Sequence, residues 1–226
     1  SDEVKRKYYE VNTDLAVEVA RKAKDEGVKE FIFMSSMIVY GDSAPYGKKK
    51  IVDENTVPEP SNFYGNSKMQ ADMAVRDMAT EDFKVIVIRP PMIYGKESKG
   101  NYRTLATLVK KLPLFPDVEN NRSMLFVGNL KEIKENAVVL IPQNKEWIKT
   151  SNMVRKIANV TERKVYVTKC LDPFIFIASK VPGKIGTLVN KAFGNSCYEP
   201  SMSKINGIKY QIYDFEKSIS ITERES

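Results

Sequence analysis

Two stretches of the chain carry apolar residues in patterns that predict an alternation of helix and strand. Between residues 12 and 26, apolar side chains recur every three or four positions, which predicts an amphipathic helix that ends at Gly27. Residues 31–34 are apolar at every position, so we expect a strand that is buried on both faces of a parallel sheet. Ser35 and Ser36 follow this strand, at the end where open α/β sheets bind their ligands. Helix, glycine turn and strand together form half of a βαβ unit.

The same alternation recurs farther along the chain. Residues 62–80 predict a second helix, and residues 83–88 predict a second buried strand. This strand ends at Arg89, because two prolines follow it and proline cannot continue a central strand. Residues 42–60 precede the second helix and are rich in Pro, Lys, Asp and Glu, without a periodic pattern. Loops this long are uncommon in compact domains unless they are functional or disordered, so we expect this loop to form a lip of the ligand site.

The chain after Gly95 predicts shorter and more mixed elements. We expect helices at 101–111 and 153–159, the second capped by Ser151, and strands at 114–115, 123–127, 137–141 and 164–168. Residues 171–193 mix apolar side chains with lysines in amphipathic helical segments. Such segments cover a core, close over a substrate as a lid or touch a membrane surface, and the pattern leaves these uses open. Residues 218–226 are expected to fray.

Composition places the chain among soluble globular proteins. It has 226 residues, of which 42% are hydrophobic and 29% charged, enough for one large or two small domains. No apolar run approaches the roughly 20 residues of a membrane span, and the first residues lack the apolar pattern of a signal peptide, so we expect neither feature. Cys170 and Cys197 lack framework spacing, so we expect free thiols and a cytoplasmic location. The net charge of +7 is spread along the chain, which favours an anionic small substrate over nucleic acid.

The sequence contains no histidine, which excludes Ser-His-Asp and Cys-His triads and histidine-based zinc sites. No metal site is predicted, and acid–base chemistry must use Tyr, Lys, Glu, Asp or Cys. Four positions separate Tyr64 from Lys68, so on a helix both side chains lie on one face. A nearby ammonium group favours the phenolate and lowers the pKa of a tyrosine, which makes the pair a candidate proton donor and acceptor. Most such pairs are solvated helix faces, and the spacing alone does not exclude that interpretation.

Three motifs strengthen the catalytic interpretation. They are FIFMSSMIVYG at 31–41, YGNSK at 64–68 and VIRPPMIYG at 87–95. In order, spacing and predicted context they resemble the extended short-chain dehydrogenase/reductase family, and more narrowly its NAD-dependent sugar-nucleotide epimerases and dehydratases. The resemblance implies an α/β fold with a Rossmann-like parallel sheet and a small mixed C-terminal substrate-binding region. It implies NAD as cofactor and a nucleotide sugar as substrate. Residues 1–95 would then belong to the NAD-binding domain and residues 96–226 to the substrate-binding region.

The resemblance also implies roles for single residues near the cofactor. Tyr64 would shuttle the proton of the sugar hydroxyl or keto group, and Lys68 would hold the nicotinamide ribose and lower the pKa of Tyr64. Ser36 would orient the reacting oxygen as a hydrogen-bond donor, or it would merely cap the turn after the strand. Asn12 matches the asparagine that opens the preceding helix near the cofactor; its alternative role is that of an N-cap. Pro91 would lie near the nicotinamide amide.

On the substrate side the matches are weaker. Asn101, Phe115 and Arg122 fall near positions that contact the diphosphate and the base in sugar-nucleotide enzymes. A guanidinium group suits a diphosphate, although Arg122 is also compatible with an ordinary surface position, and Phe115 with a place in the core. Met92 stands where the family's 4-epimerases commonly carry asparagine. This difference counts against 4-epimerase chemistry on a hexose and leaves dehydratase and reductase activities as alternatives.

None of the 11 glycines forms the glycine-rich turn with which a dinucleotide-binding fold opens. The resemblance therefore implies that the first half of the sheet, roughly 60 to 100 residues or two or three βα units, is missing. We expect a truncated and inactive fragment with an incomplete NAD site; a natural fragment that works without cofactor is the alternative. The remaining sheet would present an unpaired edge.

The helices at 12–26 and 62–80 match those that pair into a four-helix dimer bundle in this family, so a homodimer is expected. Two rival functions stay open. One is an NADPH-linked reductase of a small carbonyl compound from the same superfamily. The other is a non-catalytic binding or assembly module that retains the fold.

Overall fold

The structure is a computed structural model that describes residues 2–130, 139–205 and 208–224. The α-helices are α1 (Asp2–Tyr9), α2 (Leu15–Asp25), α3 (Phe63–Arg76), α4 (Asn101–Lys111), α5 (Val127–Leu130), α6 (Thr150–Val160), α7 (Asp172–Lys180), α8 (Lys184–Phe193) and α9 (Phe215–Arg224). The strands are β1 (Glu30–Met34), β2 (Ile51–Val52), β3 (Lys84–Ile88), β4 (Met92–Tyr94), β5 (Leu114–Pro116), β6 (Met124–Phe126), β7 (Val139–Leu140), β8 (Tyr166–Thr168) and β9 (Cys197–Tyr198). A π-helical turn spans Glu10–Asp14, and 3₁₀ turns span Met37–Tyr40, Lys169–Leu171 and Pro200–Ser203.

The centre of the fold is a parallel sheet in the order β1-β3-β7. Phe31 pairs with Val85 and Phe33 with Val87, so the two predicted apolar runs lie side by side in register. Val139 in turn pairs with Val87, and the chain beyond residue 95 therefore returns a strand to this sheet. The predicted α/β fold with a Rossmann-like parallel sheet is confirmed. The predicted division at residues 95 and 96 stays a prediction.

One face of the sheet is covered by α2 and α3. Phe33, Val85 and Val87 pack there against Ala20 and against alanine and valine side chains of α3. Small residues at the helix surface let helix and sheet approach closely, and each buried aliphatic side chain contributes about 1.5–3 kcal/mol. The other face of β3 packs against Leu125, Leu140, Ile205 and Tyr210.

The outer face of β1 differs from its prediction. Ile32 is 51% and Met34 38% exposed, so the expectation of a strand buried on both faces is wrong for β1. Among the described residues, the core on this side of the sheet includes side chains of β3 and β7 but neither Ile32 nor Met34. Within residues 2–130, 139–205 and 208–224, β1 also pairs with β3 alone and forms an edge of the sheet. The expected unpaired edge is therefore present in the part of the chain that the structure describes.

The first helix begins earlier than its pattern predicts. Helical backbone runs from Asp2 through the π-helical turn to Asp25, and the predicted start near Asn12 is wrong. Asn12 and Thr13 lie in the π-helical turn, and their polar side chains bond to α3 rather than capping a helix end. A π-helical turn inside an α-helix is rare and frequently occurs at functional sites.

A second core lies between the pair β4-β6 and the helices α4, α6 and α9. The helix predicted at 101–111 and the strands near 114, 123 and 164 are all present. Ser151 lies within α6 instead of capping it, because the helix begins at Thr150, three residues before the predicted start at 153, with Lys149 at its N-cap. In the run predicted at 137–141, residues 139 and 140 form β7, whereas residues 137 and 138 lie outside the described residues.

The C-terminal segment is helical and packed. The expected fraying of residues 218–226 is wrong for residues 218–224, because Ser218, Ile219 and Thr222 of α9 are buried against the second core. Residues 225 and 226 lie outside the described residues. Within the described ranges, none of the helices combines the length and the apolar character that crossing a bilayer requires.

Candidate active site

Ser36 lies at the carboxyl end of β1, in a turn held by the end of β3. The backbone N–H of Ser35 donates to the carbonyl of Ile88 at 2.8 Å, and that of Met37 donates to the carbonyl of Pro90 at 2.9 Å. These two bonds place Ser36 beside the Pro90-Pro91 segment. The Ser36 hydroxyl accepts a hydrogen bond from the N–H of Ile38 at 3.3 Å and caps the following 3₁₀ turn, as its alternative role requires. A hydroxyl that accepts one bond can still donate another to a substrate oxygen.

Gly65 brings the helix with Tyr64 and Lys68 against this turn. A Cβ atom at position 65 would lie 2.9 Å from the carbonyl oxygen of Ile38, so only glycine allows α3 to approach so closely. Asn62 begins the helix, because its side-chain oxygen accepts a hydrogen bond from the Gly65 N–H at 2.9 Å. The first turn of α3 is therefore fixed against the 3₁₀ turn that Ser36 caps.

The side chain of Lys68 reaches the end of β1. Its ammonium group donates to the carbonyl of Met34 at 3.3 Å and lies 5.4 Å from the ring centroid of Phe33. Burial lowers the pKa of Lys68 below its ordinary value. The cation thus lies at the ligand-binding end of the sheet, on the helix face that the spacing predicts.

Tyr64 stands at the edge of this site, with 37% of its surface exposed. Its ring meets that of Tyr8 edge-on, with 5.6 Å between the ring centroids. Burial raises the pKa of Tyr64, and the neighbouring Tyr8 raises it further. The expectation that Lys68 lowers this pKa is wrong for the chain alone, because the ammonium donates to the carbonyl of Met34 and desolvation of the phenol dominates.

Asn12 is linked to the backbone of Tyr64 through Ser67. Its side-chain amide donates to the Ser67 hydroxyl at 3.1 Å, and that hydroxyl donates to the carbonyl of Tyr64 at 2.8 Å. Thr13 adds a bond from its hydroxyl to the carbonyl of Ser67 at 2.8 Å. The alternative role as an N-cap is wrong, since Asn12 lies inside a continuous helix. Its proximity to a cofactor stays a prediction.

A buried ionic network beneath the site was missed by the sequence reasoning. Arg89 forms an ion pair with Asp72 of α3, and its Nη1 also donates to the hydroxyl of Tyr40 at 2.8 Å. Burial alone would raise the pKa of Asp72, but the hydrogen bonds and charge of Arg89 outweigh burial and lower it. The only sequence signal was that Tyr40 and Arg89 belong to the first and third motifs. The network joins both motifs to the helix of the second.

The predicted substrate residues do not come together as one group. Phe115 is buried in β5 against Phe193, which favours its place in the core. Arg122 donates from Nη1 to the carbonyls of Lys191 and Ala192 at 2.8 and 3.1 Å, so it caps the end of α8 instead of standing on the open surface. Asn101 is exposed at the first turn of α4.

Comparison with known proteins identifies the family. Residues 1–135 match the family described as the NAD dependent epimerase/dehydratase family. A UDP-glucose 4-epimerase of Vibrio cholerae is 33% identical over 172 residues, which are 70% of this chain and 52% of that protein. An N-acetyl-alpha-D-glucosaminyl-diphospho-ditrans,octacis-undecaprenol 4-epimerase of Escherichia coli O157:H7 is 30% identical over 211 residues, 91% of this chain and 59% of that protein. The chain thus spans slightly more than half the length of these curated relatives.

Solved structures show the same fold. The UDP-glucose 4-epimerase of Thermus thermophilus in complex with NAD superimposes with a TM-score of 0.68 at 17% identity, covering 96% of this chain and 70% of that chain. The dTDP-4-dehydrorhamnose reductase of Bacillus anthracis in complex with NADP gives a TM-score of 0.69 at 21% identity, covering all of this chain and 76% of that chain. Because the family match spans more than half of the sequence, the chain belongs to the NAD dependent epimerase/dehydratase family.

Proposed function

We propose that the protein containing this chain is an NAD-dependent epimerase or dehydratase of a nucleotide sugar. One observation carries the proposal: the turn that Ser36 caps and the helix of Tyr64 and Lys68 meet at the carboxyl end of the parallel sheet. An acid–base side chain, a cation and a hydroxyl donor at one sheet end suit chemistry at a sugar hydroxyl or keto group. Family membership supports the same reaction class.

The residues at this sheet end fit the nicotinamide ribose of a dinucleotide. The partly buried Lys68 ammonium bonds a neutral carbonyl, and two of its donors can serve ribose hydroxyl groups. Pro91 follows the backbone segment that holds the Ser36 turn, where the nicotinamide amide would lie. Bound NAD would supply a hydride acceptor for the sugar carbon and return the hydride later in the reaction.

Tyr64 would carry the proton. With its pKa raised, its phenol is protonated at neutral pH and is ready to donate from Oη to a keto oxygen. Acting as base requires the phenolate, which a shift of the Lys68 ammonium toward the ring would favour. Ser36 would donate to the reacting oxygen and hold it in place. Asn12, through Ser67, holds the backbone at Tyr64 in position.

The substrate-binding roles rest mainly on Arg122 and Asn101. Arg122 has one guanidinium nitrogen on the end of α8, and its other donors can meet a diphosphate. Asn101 is accessible for hydrogen bonds to a ligand. Phe115 packs in the core and would act by supporting Phe193 rather than by stacking on a base.

A sugar on a lipid diphosphate is the second candidate substrate. It is favoured by the relative from Escherichia coli O157:H7, whose match covers 91% of this chain. Both candidates share the sugar and the diphosphate, so the same catalytic residues would serve either. Met92, where 4-epimerases of the family commonly carry asparagine, packs against the second core. Both 4-epimerisation and dehydration remain alternatives for the reaction.

A homodimer through the first helix and α3 is part of the proposal. Apolar side chains lie exposed along one side of the first helix at spacings of three and four residues. They are Val4, Tyr8, Val11, Leu15 and Val19. Phe63 and Met73 extend the exposed apolar surface onto α3. Pairing two such surfaces would form a four-helix bundle.

The test is an activity assay on the gene product that contains this chain. UDP-glucose, UDP-N-acetylglucosamine and dTDP-glucose are each incubated with NAD, and the products are identified by NMR. An inverted hydroxyl indicates epimerisation, and loss of water indicates dehydration. Tyr64→Phe should lower kcat about 10²–10⁴-fold with little change in KM. The matched control Tyr166→Phe, at a tyrosine that is 71% exposed, should leave kcat unchanged.

Other outcomes would redirect the assignment. Reduction of small carbonyl compounds with NADPH, without turnover of nucleotide sugars, would support the reductase alternative. Turnover only of a sugar-diphospho-polyprenol would select the second candidate substrate. If neither cofactor nor any of these sugars binds, the enzyme proposal fails and a binding or assembly module takes its place.

A further inference from the structure

Helices α7 and α8 form a hairpin that carries its large apolar side chains outward. On α7, Phe174 is 68% and Ile177 63% exposed; on α8, Ile185 is 59% and Leu188 68% exposed. The buried residues of the two helices are small, Ser179 on α7 and Gly186 on α8. Phe193 at the end of α8 packs against the second core, whereas these four exposed side chains cover no core, contrary to one interpretation of the sequence.

The hairpin is held firmly to the rest of the protein. The Asn190 side chain donates to the carbonyl of Ser179 at 3.0 Å and accepts from the N–H of Tyr46 at 2.8 Å. Arg122 bonds the last carbonyls of α8. A Cβ atom at Gly186 would collide with the carbonyl oxygen of Val181, just after α7, and would lie 3.3 Å from that of Ser179, so α8 lies directly against the end of α7. The apolar side chains are thus displayed on a fixed support.

Positive charge accompanies this apolar surface. Residues 169–193 contain four lysines, one aspartate and no glutamate or arginine, a net charge of +3. Lys180, Lys184 and Lys191 are exposed on the two helices. The Lys180 ammonium lies 5.4 Å from the ring centroid of Phe176, so cation and apolar surface are adjacent.

We propose that the α7–α8 hairpin docks this protein onto an anionic lipid surface. Helices with exposed Phe, Ile and Leu side chains and lysines beside them lie in the interface of a bilayer, with the apolar side roughly 5–10 Å into the headgroup boundary. Anionic headgroups complement the lysines, whereas a second copy of the hairpin would bring like charges together. The inference goes beyond the proposed function, and its test requires no turnover of substrate.

The test is sedimentation of the protein with lipid vesicles. Vesicles of phosphatidylcholine alone are compared with vesicles that contain three parts phosphatidylcholine and one part phosphatidylglycerol. We expect binding to the second kind only, weakened by salt. Combined K180Q, K184Q and K191Q should reduce the partition coefficient about fivefold per lysine, or on the order of 100-fold. Combined F174S, I177S and L188S should reduce it by about tenfold or more per side chain.

A matched control distinguishes binding through the hairpin from nonspecific hydrophobic binding to the vesicles. Combined V28S, L112S and I212S removes three exposed apolar side chains that lie outside both the hairpin and the proposed dimer surface, and should leave vesicle binding unchanged. All changed side chains are exposed, so circular dichroism should show folded variants. The proposal is overturned if the unaltered protein binds neither kind of vesicle or binds both kinds equally. It also fails if the control loses binding equally, or if the hairpin changes alter the oligomeric state and not the partition coefficient.

Discussion

The guanidinium group of Arg89 and the carboxylate of Asp72 form a two-pronged ion pair. Nε donates to Oδ2 at 2.9 Å and Nη2 donates to Oδ1 at 2.8 Å, with the Asp72 side chain fully buried and that of Arg89 7% exposed. Arg89 follows β3, and Asp72 lies one turn beyond Lys68 on α3. The pair therefore fixes the helix of Tyr64 and Lys68 to the end of the sheet that carries the Ser36 turn.

Asp72→Asn should strongly destabilise the protein. An asparagine keeps the shape of the side chain but leaves the charge of Arg89 buried without a counterion, and breaking a buried pair in this way costs about 3–5 kcal/mol. The free energy of unfolding in urea measures the effect. As the control, Asp82→Asn removes a carboxylate that is 94% exposed and 3.9 Å from Lys29, and its effect should stay within about 0.5 kcal/mol. Equal losses in both variants would contradict the role of the buried pair.

The same pair predicts how stability responds to acid. The pKa of Asp72 is lowered in the folded protein, so its contribution to stability is fully present above the ordinary value of about 3.9 for aspartate. That contribution is lost as the pH falls through the lowered pKa, because protonation breaks the ion pair. The free energy of unfolding, measured from pH 6 to pH 2.5, should fall more steeply in the unaltered protein than in Asp72→Asn. Parallel curves would rule out Asp72 as a source of acid sensitivity.

The sequence predicted local elements better than long-range partners. The shared helix face of Tyr64 and Lys68 follows from their spacing. The two predicted apolar strands, β1 and β3, are present and pair with each other. The direction of the Tyr64 pKa shift was predicted wrongly for the chain alone. The spacing of two residues shows that they are neighbours on a helix, but it does not show how far the fold removes water from them. The partnership of Arg89 with Asp72 also could not be predicted, since nothing in a single sequence links two polar residues on different elements.

The start of the first helix and the order of the C-terminal segment were predicted wrongly for a similar reason. Asn12 and Thr13 are typical of a helix start, but tertiary hydrogen bonds to Ser67 use their side chains inside a π-helical turn. The C-terminal segment is expected to fray because terminal residues are often poorly ordered. Its apolar and small residues nevertheless lie on one side of α9, where Ile219 meets the second core. In both cases packing against distant residues overrides the local signal.

Gly65→Ala should loosen the site while leaving the fold largely intact. The new methyl group would meet the carbonyl oxygen of Ile38 at 2.9 Å and Pro60 Cβ at 3.0 Å, so α3 must move away from the turn that Ser36 caps. Overpacking of this kind costs about 1–3 kcal/mol, even though alanine favours the helix. Thermal unfolding measures the loss, and Gln70→Ala on the exposed side of the same helix is the control. A Gly65→Ala protein as stable as the control would show that the close approach is unimportant.

The two cysteines should differ sharply in reactivity. Cys197 is 2% exposed, and burial raises the pKa of its thiol to about 12, whereas Cys170 is exposed. At pH 8 a thiol with that pKa is ionised in only about one molecule in ten thousand, and the thiolate is the reactive form. Titration of the folded protein with a coloured disulfide reagent should therefore modify one thiol rapidly and the second only after unfolding in urea. In Cys170→Ser the rapid phase should vanish and the slow thiol remain. Rapid reaction of Cys197 in that variant would mean that β9 opens readily, and the packing of Cys197 beside β2 would then need revision.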